Sequence, residues 1–395
     1  MVKNKTHALI LLYLIFFVFG IATSSIDPIV PIISQELKIG YDLIGYILFA
    51  GFFFLIIANI TSGRLGDMAN TKHILVGGLV LIMLGSVIFG TIITVALFVV
   101  ITVLIRSGYG AIDASTYTYV SQLFLKDKSA IFVKLNLLWY IGCVIGPAFI
   151  SLALHLGFNP RLNFLFIGLM FFVLTILFFK LAPGSIQHKK EGGKESFISA
   201  INYPIVIVSA IILFFYAGSI FGLSTWLTTY FLTFDIQVFM GSVILSLYWI
   251  FSIIGLVITT KLLKTTNEIT ILTIGFILGV ASMAVVLLCP VVIIKVIFLL
   301  IQAAALSGVF PLVKSIPVSE NPKASGTIVG FVLTVQGSGV MVFQPILGIV
   351  AENFGGNFIA YVILAGLFIG MLLTFLLLYL LNRKYNFTLK FRKYS

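Results

Sequence analysis

Twelve stretches of this chain are apolar for long enough to cross a hydrocarbon core about 30 Å thick, and nothing else constrains its fold as much. They run at about 8–33, 43–63, 74–93, 95–124, 130–156, 162–180, 203–233, 237–260, 269–289, 291–313, 324–351 and 357–381. Inside a bilayer the chain must satisfy its own backbone N–H and C=O groups, which leaves helices and closed barrels as spanning structures. The 38 phenylalanines and the lack of ten-residue alternating segments favour helices. With 61% apolar and 9% charged residues and a mean hydropathy of +1.21, the sequence reads as an all-α polytopic membrane protein. The first stretch is too long for a cleavable signal peptide and lacks a small-residue cleavage site.

The net charge of +12 would suggest a nucleic-acid partner in a soluble protein, but the positions of the charges decide otherwise. Twelve crossings return both termini to one side. If that side is cytoplasmic, 20 of the 24 lysines and arginines fall inside. Only Lys38, Arg161 and Lys295 fall outside, and Arg106 is within the membrane. This is the positive-inside pattern, so a multi-pass protein of the cell membrane with both termini cytoplasmic is expected. Anionic lipid is the expected surface partner, and no nucleic acid is.

A polar break at 183–200 reads as a cytoplasmic linker between a six-helix half, 1–182, and a second, 201–382, followed by a basic tail, 383–395. An offset of 198 residues superposes Phe16, Phe17 and Gly20 on Phe214, Phe215 and Gly218. It also matches Gly77 with Gly275, Gly110 with Gly308, Pro147 with Pro345, Gly157 with Gly355, Asn159 with Asn357, and Gly168 with Gly366. A parallel repeat of six plus six helices follows, with a substrate cavity expected between the halves.

The fourth stretch carries charge. Arg106, Gly110, Asp113 and Tyr117 return to nearly one helix face, the arginine and aspartate about 10 Å apart along it. A charge here costs several kcal/mol, so both need partners or a task. By depth, Asp27 lies ~10 Å and Arg106 ~6 Å toward the outside, and Asp113 ~4 Å toward the inside. Arg106 is therefore expected to pair with Asp27, leaving Asp113 the less compensated acid. An acid desolvated in this way can take up and release a proton at physiological pH. Asp27 and Asp113 alone among the 12 acids lie deep, so coupling is expected in the first half. A permanent Asp27–Arg106 bridge that only orients helices is the competing reading.

These features resemble the major facilitator superfamily over essentially the whole chain. The loop Gly63-Arg64-Leu65-Gly66-Asp67-Met68-Ala69-Asn70-Thr71-Lys72 is similar to that superfamily's cytoplasmic signature, which implies a gate role for Gly63, Asp67 and Lys72. Met68, Asn70 and Thr71 depart from its usual residues. Gly63 is read as permitting close helix approach, and Asp67 as latching a helix end or a cation. Gly142, Gly146 and Pro147 form a packing and kinking device that is similar to half of an antiporter motif, with Ile150 and Ser151 where a second glycine pair would be expected. Three pieces resemble the fucose:proton symporter family more narrowly. They are Asp27-Pro28-Ile29-Val30-Pro31, Gly110-Ala111-Ile112-Asp113 with Tyr119-Val120, and Leu135-Asn136-Leu137. In the second half Tyr216-Ala217-Gly218-Ser219 with Trp226 and Tyr230 looks like that family's aromatic helix, although Ser219 stands where Gln or Glu is common. The resemblance implies proton coupling by the two acids and sugar binding at Asn136.

Neutral sugars call for amide and hydroxyl hydrogen bonds flanked by aromatic faces. Asn136, Trp139 and Tyr140, with Tyr117 on the neighbouring stripe, offer that set in the first half. Tyr216, Trp226, Tyr230, Gln302 and Gln336 offer it in the second, while Trp249 reads as packing. His7, His73, His155 and His188 are scattered, and Cys143 and Cys289 lie in apolar segments, so no metal, cofactor or catalytic centre is expected. The expected protein is not an enzyme but a secondary transporter, functional as a monomer, that moves a monosaccharide or similar neutral solute with protons by alternating access. A proton-driven efflux antiporter for drugs or apolar metabolites is the alternative, and a non-transporting sensor with the same fold is a third reading.

Overall fold

The computed structural model describes residues 2–68, 70–91, 94–124, 128–184, 203–320 and 325–385, with side chains at 5–65, 70–91, 94–124, 131–184, 203–317 and 328–383. Among them are twelve helical spans long and apolar enough to cross a membrane. The helices are α1 (Val2–Ser25), α2 (Val30–Leu37), α3 (Tyr41–Met68), α4 (Thr71–Thr91), α5 (Val95–Leu123), α6 (Lys128–His155), α7 (Leu162–Leu181), α8 (Pro204–Leu232), α9 (Val238–Leu262), α10 (Glu268–Leu288), α11 (Val292–Leu306), α12 (Val309–Glu320), α13 (Ser325–Phe354) and α14 (Ile359–Tyr385). Most of the expected linker and tail, 185–202 and 386–395, lies outside the described residues.

Two expected spans are discontinuous. The first, read as one helix, ends at Ser25, passes through a 3-10 turn at Asp27–Ile29 and resumes as α2. Pro28 and Pro31 have no N–H to continue the ladder, and Pro28 disfavours helical geometry in the residue before it. The span expected at 291–313 divides at Ser307 and Gly308 into α11 and α12. α4 ends at Thr91 and α5 begins at Val95, and the Thr94 hydroxyl caps α5 by accepting from the Leu97 N–H at 3.3 Å.

Contacts cluster into two units over the described residues, Met1–Lys190 with Leu227–Ser246, and Glu191–Trp226 with Leu247–Ser395. In the first, α1 packs on α6, α3 on α5, and α4 on both α5 and α7. In the second, α10 packs on α11 and α14. Segment 227–246 joins the first unit, where the Ser151 hydroxyl donates to the Phe239 carbonyl at 3.0 Å. The outward faces are apolar, with Phe172, Leu152, Phe179, Leu372 and Tyr379 among the exposed side chains, as a lipid solvent requires.

Several of the glycines that the 198-residue offset matches have a local role in each unit. Gly157 and Gly355 follow α6 and α13 with φ of +74° and +99°, left-handed positions that favour glycine after a helix end. A Cβ on Gly110 would meet the Leu55 carbonyl of α3, and one on Gly308 would meet Thr259 of α9. Pro147 and Pro345 both lie inside helices, α6 and α13.

Candidate functional site

The break between α1 and α2 places Asp27 beside α5. Asp27 is 7% exposed and Arg106 5% exposed, and they interact electrostatically. The guanidinium does not rest on that attraction alone. Its Cζ lies 4.1 Å from the centroid of Phe52 on α3 and 5.7 Å from that of Tyr109, and desolvated cation–π contacts contribute about 2 kcal/mol. Gly51 makes room, because a Cβ there would come within 3.0 Å of Arg106 Cγ. Cys143 of α6 also faces this group, bonded to Ser24 and within the field of Asp27.

Two turns along α5 from Arg106, a second polar group forms around Asp113. The Asn59 amide of α3 donates to Asp113 Oδ2 at 3.5 Å. That approach depends on Gly110, whose missing Cβ would sit 3.0 Å from the Asn59 backbone nitrogen. Tyr117 feels the Asp113 charge, and its hydroxyl accepts from Asn136 Nδ2 at 3.2 Å. Asn136 also donates to the Phe132 carbonyl at 2.9 Å, while the Tyr117 ring packs between Phe16 and Phe132. Two hydrogen-bonded pairs, Asn59 with Asp113 and Asn136 with Tyr117, thus lie on α3, α5 and α6, and the Asp113 charge acts on Tyr117 between them. Trp139 Nε1 donates to Thr23 at 3.3 Å, with Tyr140 edge-on at 5.2 Å.

In the second unit Trp226 is fully buried and its Nε1 donates to Gln344 Oε1 at 3.1 Å. Gln302 is buried against Met283 Sδ at 3.7 Å, and Gln336 is half-buried on α13. Tyr216 is buried, as is Tyr230, which packs on Phe231 and Phe234 in the segment belonging to the first unit. Trp249 is buried against Phe221, a packing role. Gln344→Leu removes the acceptor of the Trp226 N–H, a cost of about 1–3 kcal/mol, but also removes the unmet Nε2 of Gln344 itself. A net loss of ~1 kcal/mol is expected, read as a lower thermal unfolding midpoint in detergent, whereas Gln336→Leu should leave the midpoint nearly unchanged.

Of the expected gate, Asp67 lies outside the described side chains. Lys72 donates to the Ala182 carbonyl at 2.6 Å and lies 5.4 Å over the Phe179 ring. It thereby caps the C-terminal end of α7, where a cation is favoured. The reason given for Gly63 needs correction: an added Cβ there would meet nothing within 4 Å, so close helix approach does not explain it in this conformation. Gly142 and Gly146 do mark a close approach. Gly142 lies 2.8 Å from Gly20 Cα of α1, and Gly146 lies 2.6 Å from the Ile21 carbonyl, each measured from the Cβ it lacks. Among the described residues no group of three or more His, Cys, Asp or Glu is placed to hold a metal ion.

Sequence reasoning missed Asn59 and Gln344. Each is an isolated amide in an apolar helix, the one signal available. Neither carries a charge that would have demanded a partner.

Comparison with known proteins agrees with this architecture. A glucose/galactose transporter of Brucella abortus biovar 1 (strain 9-941) is 26% identical over 252 residues, 58% of this chain and 59% of that protein. The chain thus spans about three-fifths of its length in that match. Among solved structures, a point mutant of the nucleoside transporter NupG superposes with a TM-score of 0.78 at 14% identity, covering 95% of this chain and 99% of that one. A D-xylose-proton symporter gives 0.78 at 13%, covering 94% and 97%. A bacterial homolog of the human lysosomal transporter Spinster, inward-facing and occupied, gives 0.74 at 13%, covering 96% and 95%. At these identities the superpositions show the fold. The model of the Major Facilitator Superfamily matches residues 12–344, and this chain is a member of that family.

Proposed function

We propose that this member of the superfamily, a transporter and not an enzyme, imports a monosaccharide or similar small neutral solute together with protons by alternating access. The observation that carries the reading is the setting of Asp113, a membrane-embedded carboxylate contacted by the neutral amide of Asn59 and linked through Tyr117 to Asn136. A partly buried carboxylate that takes a bond from a neutral amide can change charge at modest cost, and the hydroxyl and amides beside it offer the bonds a sugar hydroxyl needs. The similarity to a glucose/galactose transporter supports the solute class.

In the proposed cycle Asp113, with Asp27 as partner, takes a proton from outside. Neutralisation lets the two six-helix repeats, 1–182 and 201–382, rock, and Arg106 resets the acid toward the cytoplasm. The protein works as a monomer in the cell membrane, with both termini cytoplasmic and anionic lipid at its basic rim. Purified protein in proteoliposomes tests this with radiolabelled hexose, by counterflow and by uptake under an inward proton gradient. Hexose accumulation is expected. Proton-dependent movement of a lipophilic dye with no hexose transport would replace this reading with the efflux antiporter.

A further inference from the structure

Tyr109 lies one turn after Arg106 and one turn before Asp113 on α5, and the coupling scheme above gives it no task. Its side chain is 1% exposed, and its hydroxyl has no hydrogen-bond partner among the described residues. The ring is fixed against Phe19 of α1, centroids 4.8 Å apart, and under the Arg106 guanidinium. Electrostatically it faces Arg106, Asp27 and Cys143. Arg106 Nε is the second buried donor of this group without a partner among the described residues.

Two unmet groups within the field of one carboxylate suggest what belongs there. An unsatisfied buried donor costs about 1–3 kcal/mol, and proteins relieve that cost by holding a water where two to four polar partners converge. The guanidinium N–H only donates, a carboxylate only accepts, and a phenol does either. One water complements all three, accepting from Arg106 Nε, sharing a bond with the Tyr109 hydroxyl and donating to Asp27. A larger solute group has no comparable claim on so buried a place.

We propose that Tyr109 and Arg106 hold one water molecule against Asp27, and that Tyr109 positions this water to load and unload the proton of Asp27. On loading, the water gives one proton to the Asp27 carboxylate, which becomes the neutral acid. The water regains a proton from the Tyr109 hydroxyl, which is in turn reprotonated from the outer aqueous side, so phenol and water end unchanged. The titratable groups facing this place are Arg106 and Tyr109 of α5 and Cys143 and Tyr140 of α6, the thiol being already bonded to Ser24. This inference rests on the proton-coupled reading above.

Tyr109→Phe is the test, because it removes the hydroxyl and keeps the ring over Phe19 and Arg106. In proteoliposomes of the full chain, proton-driven hexose uptake should fall at least about tenfold with a displaced pH profile, while counterflow stays within about twofold of wild type. A pH profile superimposable on wild type, in a preparation where Asp113→Asn is uncoupled, would overturn the role of Tyr109 alone. Full coupling in both Asp27→Asn and Asp113→Asn would instead overturn the coupling reading and this inference with it. A density map fine enough to show ordered water is the independent measurement. Density within hydrogen-bond reach of Tyr109 Oη, Arg106 Nε and Asp27 is expected, and an empty place there overturns the proposal whatever the transport data show.

Discussion

Asp113→Asn is expected to abolish solute accumulation driven by a pH gradient while leaving solute exchange across the membrane intact. The substitution is nearly isosteric, and the new side chain keeps an oxygen to accept from Asn59, as Asp113 Oδ2 does at 3.5 Å. The local packing set by Gly110 against α3 is untouched. What disappears is the charge of Asp113, and with it the protonation step that the proposed cycle couples to solute movement. Wild type coupling one proton to each solute draws about 1.36 kcal/mol from each pH unit, a tenfold concentration ratio. The mutant should equilibrate at a ratio of about one at every imposed gradient, with counterflow near the wild-type rate. Accumulation ratios measured at a series of internal and external pH values decide it. A mutant that keeps the wild-type slope removes Asp113 from the coupling scheme.

Asn59 supplies the graded companion to that experiment. It holds one carboxylate oxygen of Asp113, so Asn59→Leu should weaken coupling without abolishing it, seen as a shallower dependence of accumulation on the gradient. The carboxylate itself, unlike its amide partner, remains available to carry the proton.

The elements legible in the sequence were those in which one residue type implies its own environment. A long apolar run needs a bilayer, so the spans could be placed to within a few residues. Arg106 and Asp27, each too costly to bury alone, required company, and they do interact across α5 and the turn after α1. Gly157 and Gly355, which the sequence matched only by offset, prove to hold left-handed φ after a helix end. Neutral partners were not legible. Asn59, Gln344 and Tyr109 acquire their meaning from which neighbour the packing brings, and an uncharged amide or phenol sends no long-range signal. The Phe52 ring under Arg106 is hidden for the same reason, since one of 38 phenylalanines is chosen by packing alone. Gly63 shows the converse, for a glycine expected to mark close approach has open space around it, whereas Gly142, Gly146 and their partners on α1 have none.

That contrast sets the second large effect, which is on folding. A side chain at Gly142 would place its Cβ against the Phe17 carbonyl and 2.8 Å from both Gly20 Cα and the Ile21 nitrogen. All three are backbone, so no rotamer change relieves the overlap, and α1 must move off α6. The helices meet without a hydrophobic drive in lipid, which makes close packing between small residues the main attraction to lose. Two effects oppose each other in Gly142→Leu. Helix propensity favours leucine over glycine by up to ~0.8 kcal/mol, whereas overpacking ordinarily costs about 1–3 kcal/mol and here falls on rigid backbone, so about 3 kcal/mol or more is expected. Separation of α1 would also break the Trp139–Thr23 bond at 3.3 Å and displace Ser24 from Gly146. Against a total stability of about 5–15 kcal/mol, the yield of monodisperse protein on size exclusion should collapse and the thermal midpoint of any remainder should fall steeply. An added Cβ at Gly63 meets nothing within 4 Å, so Gly63→Ala gains the propensity term alone and its midpoint should equal or slightly exceed that of wild type. If Gly142→Leu instead keeps the wild-type midpoint, α1 and α6 are not held by this contact, and the position of Asp27 beside α5 needs another support.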